Sequence, residues 1–150
     1  MKFLILIKDL HNRFALSHRS DWSNQQSRTL AIWGGQSLNH TILIIDDDPL
    51  IRKILKKMLV NKYRLLEAEN GQEALRVSED ADLIICDYKM PVMDGLVFLE
   101  TIRKTSDVPF VVLSGAVIDE NRFLASGANM VLKKPAKAPE IYSAIKSLLP

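Results

Sequence analysis

The chain has 150 residues, of which 47% are hydrophobic and 25% are charged, as in one globular domain with a short extension. Its 20 Lys and Arg residues nearly balance its 18 Asp and Glu residues, so charge gives no argument for nucleic-acid binding. The single cysteine, Cys86, excludes an intrachain disulfide and a cysteine-based zinc site, and no apolar run approaches the ~20 residues of a membrane helix. We therefore expect a cytoplasmic protein that contacts neither membrane nor nucleic acid directly.

Residues 1–40 differ in composition from the rest of the chain. They hold five basic and two acidic residues and show no sustained helical or strand period. Their opening apolar run ends at Lys8 and Asp9, which is too early for a signal peptide, and no cleavage site of small residues follows. We expect a poorly ordered extension. The alternative is a tail that binds a partner through its aromatic residues, which are Phe3, Phe14, Trp22 and Trp33.

Strand-like and helix-like segments alternate over residues 41–150, which we interpret as one domain. The predicted strands are Thr41–Ile45, Arg64–Ala68, Leu83–Cys86, Pro109–Leu113 and Met130–Lys133. The first predicted helix begins at Asp48-Pro49, and four more predicted helices cover residues 72–79, 96–104, 119–126 and 139–149. Apolar strands that alternate with amphipathic helices predict an α/β fold, with a five-stranded parallel sheet covered on both faces by about five helices.

The first predicted helix has a capping acid, Asp48, followed by a proline at its first position. Apolar residues then recur at helical spacing, and they are Leu50, Ile51, Ile54, Leu55, Met58 and Leu59. The basic residues are assigned to the other face of this helix, which we interpret as solvated, and they are Arg52, Lys53, Lys56 and Lys57.

Polar residues that carry chemistry follow four of the five predicted strands. Asp46 and Asp47 follow the first strand and Asp87 follows the third, while Ser114 and Lys134 follow the fourth and fifth. If the first and third strands are neighbours, the three acids converge at the carboxyl edge of the sheet. Clustered carboxylates favour a hard cation such as Mg²⁺, and a carboxylate beside Mg²⁺ can attack a phosphoryl group. Each residue taken alone has an ordinary interpretation as a strand-end or loop residue, but the joint pattern favours a phosphoryl-transfer site.

Residues 41–150 resemble the receiver domain of two-component response regulators. The matching text is Ile42-Leu43-Ile44-Ile45-Asp46-Asp47-Asp48-Pro49, Asn70-Gly71-Gln72-Glu73-Ala74-Leu75, Asp82-Leu83-Ile84-Ile85-Cys86-Asp87-Tyr88-Lys89-Met90-Pro91-Val92-Met93-Asp94-Gly95 and Lys134-Pro135. The resemblance implies a doubly wound, flavodoxin-like sheet with strand order 2-1-3-4-5. It also implies a Mg²⁺-dependent switch protein that is phosphorylated on an aspartate by a histidine kinase or a histidine phosphotransfer protein.

The resemblance assigns a role to each candidate site residue. It implies that Asp87 is the phosphoacceptor and that Asp46 and Asp47 bind Mg²⁺ together with Asp87 and the backbone carbonyl of Lys89. Ser114 is then the switch hydroxyl, and Lys134 pairs with the phosphoryl group. We expect no enzymatic activity beyond slow self-dephosphorylation.

Two positions depart from the pattern of the family. Val131 stands where the family often has an aromatic switch residue, and Ala136 stands where it often has phenylalanine. A rotameric aromatic switch is therefore not expected at residue 131. The last predicted helix runs almost to Pro150, so we expect a stand-alone receiver that binds a downstream protein or relays phosphate.

Two other functions compete with this interpretation. Asp46-x-Asp48 imitates the opening motif of aspartyl-phosphate phosphatases of the haloacid dehalogenase type, although Leu50 and the short chain argue against such an enzyme. A phosphorylation-independent docking module is the other alternative.

Overall fold

The structure, a computed structural model, describes residues 40–149. The strands are β1 (Thr41–Ile45), β2 (Arg64–Ala68), β3 (Leu83–Cys86), β4 (Phe110–Ser114) and β5 (Met130–Lys133). The helices are α1 (Pro49–Leu59), α2 (Gly71–Ala74), α3 (Gly95–Ile102), α4 (Glu120–Ala125) and α5 (Ala138–Leu148), and a short 3₁₀ helix covers Ser78–Asp80. The interpretation of residues 1–40 as a poorly ordered extension falls, apart from His40, outside the described residues.

The five strands form one parallel sheet in the order β2-β1-β3-β4-β5. This confirms the predicted fold class and the strand order that the resemblance implied. Because β1 lies between β2 and β3, and Ile45 is paired with Cys86, the chain leaves both strands at the same level of the sheet. The residues that follow β1 and β3 therefore become neighbours.

Apolar side chains fill both faces of the central strands. Side chains alternate along a strand, so Leu43 and Ile45 of β1 enter one core cluster, while Ile42 and Ile44 enter the cluster on the opposite face. All four are at most 1% exposed. The edge strands differ, because β2 and β5 each carry exposed or half-buried residues along most of their length. Full burial of the central strands explains why they read as continuous apolar runs.

Helix α1 begins as the sequence predicts, because the Asp48 side chain accepts a hydrogen bond from the Leu50 amide at 2.8 Å. The apolar face of this helix is less buried than the spacing of its apolar residues predicts. Leu50 and Ile54 are 61% and 41% exposed, and of the apolar residues along the helix only Leu55 and Leu59 are buried. The spacing of apolar residues therefore overstates the buried face of this helix.

The predicted helix over residues 72–79 is wrong in its extent. Helix α2 ends at Ala74, and from Arg76 onward the backbone forms hydrogen bonds three residues apart that lead into the 3₁₀ helix. This tighter winding places Ala74, Leu75 and Val77 against the same core cluster. The other helices and β4 differ from their predicted limits by one or two residues.

None of the helices within residues 40–149 combines the length and the apolarity needed to cross a lipid bilayer.

Candidate site at the carboxyl edge of the sheet

Two buried carboxylates lie side by side where β1 and β3 end. Asp46 follows β1 and is 1% exposed, and Asp87 follows β3 and is 7% exposed. The ladder between the two strands continues into this region, since the Asp87 amide donates to the Ile45 carbonyl at 2.7 Å. Burial of two like charges is unfavourable without a compensating cation, so the position requires one.

Lys134 supplies a positive charge between the two carboxylates. Its Nζ lies 2.6 Å from Oδ2 of Asp46 and 2.8 Å from Oδ1 of Asp87. The lysine follows β5, and its backbone amide donates to the Ser114 carbonyl at 2.8 Å, which fixes it beside the end of β4. Lys134 is joined to Pro135 by a cis peptide bond. Three residues from the ends of three strands therefore form one contact network.

The charges in this network are only partly balanced. Burial raises the pKa of the Asp87 carboxyl above its ordinary value, and the hydrogen bond and charge of Lys134 offset only part of the increase. Burial by itself lowers the pKa of the Lys134 ammonium, but its bonds to Asp46 and Asp87 outweigh burial and raise that pKa. The site thus holds a firmly protonated lysine and a carboxylate whose charge an additional cation would stabilise.

The residues present fit a magnesium ion by the chemistry of their donor atoms. Within residues 40–149, no three His, Cys, Asp or Glu side chains form a ready metal cluster. Mg²⁺ does not require one, because it takes one or two carboxylates and completes its shell with water, carbonyl and substrate oxygens. Asp46 and Asp87 provide two carboxylates beside one lysine.

The other predicted site residues lie at the same edge without joining the Asp46–Lys134–Asp87 network. Asp47 and Lys89 are exposed. Ser114 is 3% exposed, and its hydroxyl accepts a hydrogen bond from the Ala116 amide at 3.2 Å rather than contacting Asp87. The structure thus brings together three of the six candidates and places the other three around them.

Arg52 contributes to the site in a way that its assignment to a solvated helix face did not anticipate. Its Nη1 donates to the Asp46 carbonyl at 2.6 Å, its Nε lies 3.8 Å from Oε2 of Glu67, and its side chain is 17% exposed. That assignment was therefore wrong for Arg52. The direction in which the Arg52 side chain points depends on the angle at which α1 leaves β1. The spacing of residues along the helix does not predict that angle.

Gly95 is a second residue that the sequence patterns did not single out. A Cβ atom at this position would lie 2.2 Å from the backbone oxygen of Asp87. The Gly95 amide donates to the Tyr88 carbonyl at 2.8 Å, and the Asp94 side chain caps α3. The absence of a side chain therefore lets α3 begin directly against the backbone of Asp87. The available signal was the position of this glycine at the end of the matched segment that begins at Asp82.

The departure at Ala136 coincides with an apolar groove between α1 and the loop that precedes α5. The groove has a volume of about 370 Å³. Its lining includes Ile51, Ile54, Met58, Lys134 and Ala136. The small side chain of Ala136 is consistent with open space at this position.

Comparison with known proteins places this geometry in context. Residues 42–146 match the family model described as the response regulator receiver domain. A probable transcriptional regulator, ycf27, of Cyanidium caldarium is 38% identical over 115 residues, which cover 73% of this chain and 46% of that protein. Histidine kinase P4 of Formosa agariphila is 37% identical over 116 residues, which cover 73% of this chain and 8% of the kinase.

Solved structures share the fold. The chemotaxis protein CheY4 of Vibrio cholerae has a TM-score of 0.68 and 30% sequence identity, and the match covers 73% of this chain and 98% of that one. The present chain spans about half the length of ycf27, so the activity of such a longer protein does not follow from the match alone.

Proposed function

This chain belongs to the family of response regulator receiver domains, the signalling modules of two-component systems, and from that premise we propose that Asp87 accepts a phosphoryl group from a histidine kinase or a histidine phosphotransfer protein. The observation that carries the proposal is the pair of contacts that Lys134 makes with Asp46 and Asp87. A buried carboxylate beside a fixed ammonium and a second carboxylate has the parts needed for phosphoryl transfer.

The reaction is an attack on phosphorus. A carboxylate oxygen of Asp87 forms the new O–P bond, the P–N bond of the donor phosphohistidine breaks, and the leaving imidazole keeps the electron pair and takes up a proton. Lys134 neutralises charge on the phosphoryl oxygens. Receiver domains generally bind Mg²⁺, which supplies further positive charge to the transferring group when bound. Asp46, Asp47, Asp87 and the Lys89 carbonyl would hold that ion.

The proposed output is a change in binding to a downstream protein, or relay of the phosphate. The Ser114 hydroxyl, which accepts from the Ala116 amide in this structure, turns toward the phosphoryl group in this proposal. Such a turn shifts the loop between β4 and α4. The chain acts in the cytoplasm as a signalling protein without enzymatic turnover beyond slow loss of its own phosphoryl group.

The test is intact-mass measurement after incubation with Mg²⁺ and acetyl phosphate. Wild type, Asp87→Asn and the control Asp80→Asn are compared, because Asp80 is exposed and follows no strand. We expect one Mg²⁺-dependent phosphoryl adduct on the wild type and the control, and none on Asp87→Asn. An adduct that persists on Asp87→Asn contradicts the assignment. If acetyl phosphate and a panel of histidine kinases all fail to label folded wild type, the docking-module alternative is favoured.

A second candidate output is control of transcription. It is favoured by the names of the relatives, which include probable transcriptional regulators about twice as long as the matched segment. In this case the receiver acts through a DNA-binding segment joined to it, contrary to the expectation of no direct nucleic-acid contact. Fluorescence anisotropy with mixed-sequence duplex DNA, before and after phosphorylation, distinguishes control of transcription from binding to a downstream protein. Only a chain that binds DNA shows salt-dependent binding to the duplex.

A further inference from the structure

An aromatic contact joins the residue after the proposed phosphoacceptor to helix α4. The ring centroids of Tyr88 and Phe123 are 5.1 Å apart, and the ring planes meet at 82°. This edge-to-face arrangement is one of the geometries that aromatic pairs prefer. Phe123 is 2% exposed and Tyr88 is half-buried against the same core cluster. The contact spans the distance from the end of β3 to the middle of α4.

The backbone of Tyr88 cannot move independently of the site. The Asp87 amide is bonded to the Ile45 carbonyl, and the Tyr88 carbonyl accepts from the Gly95 amide at 2.8 Å. The close approach of Gly95 to the Asp87 backbone oxygen leaves little space for adjustment there. A displacement of the Asp87 backbone on phosphorylation is therefore passed on to the Tyr88 ring.

Helix α4 is held more firmly at one end than at the other. Arg103 donates from Nε and Nη2 to the Gly127 carbonyl, both at 3.0 Å, and its remaining guanidinium bonds reach the Ser106 and Val108 carbonyls. At the other end, the segment 115–119 consists of exposed and half-buried residues, and Val117 is fully exposed. Force applied at Phe123 therefore moves the beginning of α4 more easily than its end.

The usual aromatic position offers no such route in this chain. Val131 is half-buried and packs against the core cluster that contains Phe123. A valine has one side-chain dihedral and a stiff preference at it, so a large rotameric movement of a ring is not available there.

We propose that the Tyr88 ring transmits the phosphorylation state of Asp87 to α4 through Phe123, which makes Tyr88 a positioning residue for the switch. This inference rests on the proposed function of Asp87. The coupling is measured by the response of α4 to the state of Asp87.

The experiment uses the full chain, Mg²⁺ and beryllofluoride, which imitates a phosphoryl group on a carboxylate. Backbone amide resonances are followed by NMR at Asp87 and along Glu120–Ala125. In wild type we expect shifts at both places. In Tyr88→Ala we expect the wild-type shift at Asp87 and at least a twofold smaller shift along α4. Tyr88→Phe, which keeps the ring, restores the α4 response.

The control is Phe98→Leu, which disturbs a second aromatic pair of the same core cluster, Phe98 and Phe110, without changing Tyr88 or Phe123. We expect it to leave the α4 response unchanged. An α4 response of wild-type size in Tyr88→Ala, or an equal loss in Phe98→Leu, overturns the inference while the proposed function stands. Absence of any shift at Asp87 in wild type overturns the proposed function, and the inference with it.

Discussion

The Asp48 backbone amide donates a hydrogen bond of 3.0 Å to Oδ1 of Asp46. The Asp48 side chain caps α1 at the same time, so the start of this helix also orients a carboxylate of the site. The three consecutive aspartates thus have three different environments: Asp46 is buried, Asp47 is exposed, and Asp48 ends the loop as a helix cap. A side-chain substitution at Asp48 removes the cap of α1 but keeps the amide that bonds to Asp46, so it acts on Asp46 only through the position of the helix start.

Removal of Lys134 should destabilise the chain because it leaves two buried carboxylates without their cation. For Lys134→Ala without Mg²⁺, we expect the free energy of unfolding to fall by about 2–3 kcal/mol. The expected loss is small for the breaking of a buried ion pair because the Lys134 side chain is partly exposed. Urea unfolding with a metal chelator measures it. The control is Lys133→Ala at an exposed neighbouring position, where we expect about 0.5 kcal/mol or less. Equal stability of the two variants contradicts the prediction.

The raised pKa of Asp87 gives the chain a distinct dependence on pH. A carboxyl whose folded pKa lies above its unfolded value favours folding when protonated, and this contribution is lost as the pH rises through the folded pKa. Without metal, Asp87→Asn should therefore be more stable than wild type at pH 7. The difference should vanish as the pH falls below the ordinary value near 3.8. Urea titrations of both proteins from pH 7 to below pH 3.8 test this pH dependence. An Asp87→Asn variant that is less stable than wild type at pH 7 would refute the prediction.

A methyl group at Gly95 should strain the loop that follows Asp87, the proposed phosphoacceptor. The Cβ of Gly95→Ala would lie 2.2 Å from the Asp87 backbone oxygen, so the backbone must shift. We expect a loss of about 1–3 kcal/mol and a changed Mg²⁺ affinity. Gly115→Ala is the matched control, because its nearest contact would be 3.7 Å from a Lys134 side-chain carbon. There we expect a change below about 1 kcal/mol. Comparable losses in both variants would contradict the argument.

The exposed lysines of α1 should accelerate phosphotransfer from a protein donor that carries negative charge. Lys56 is engaged with Glu67, which leaves Lys53 and Lys57 as the exposed basic pair on this helix. We expect the double variant Lys53→Glu/Lys57→Glu to slow transfer from a histidine kinase by at least about tenfold at low salt, with a smaller effect at high salt. Labelling by acetyl phosphate should not change. Lys104→Glu, just after α3 and therefore on the opposite face of the sheet from α1, is the control, and an unchanged rate in the double variant would contradict the prediction.

The sequence predicted those features that depend on strand composition and topology. The bounds of β1 and β3 were correct because continuous apolar runs end at charged residues, and the parallel order then places Asp46 beside Asp87. The extent of α2 was not predictable, because its change to tighter winding reflects packing of Ala74 and Val77 against the core. The contacts of Arg52 and the Tyr88–Phe123 pair depend on side-chain direction between elements distant in sequence.

The contrast between central and edge strands has a consequence for self-association. The apolar runs of β1 and β3 would pair readily with another chain if they were exposed, but in the folded domain each already has a strand on both sides. Among residues 40–149, the two edges of the sheet belong to β2 and β5, where Arg64, Glu67 and Lys133 place charged side chains. Charged edges discourage addition of a further strand. Resistance to aggregation is therefore a property of the folded domain, and partial unfolding that separates β1 from β3 removes it.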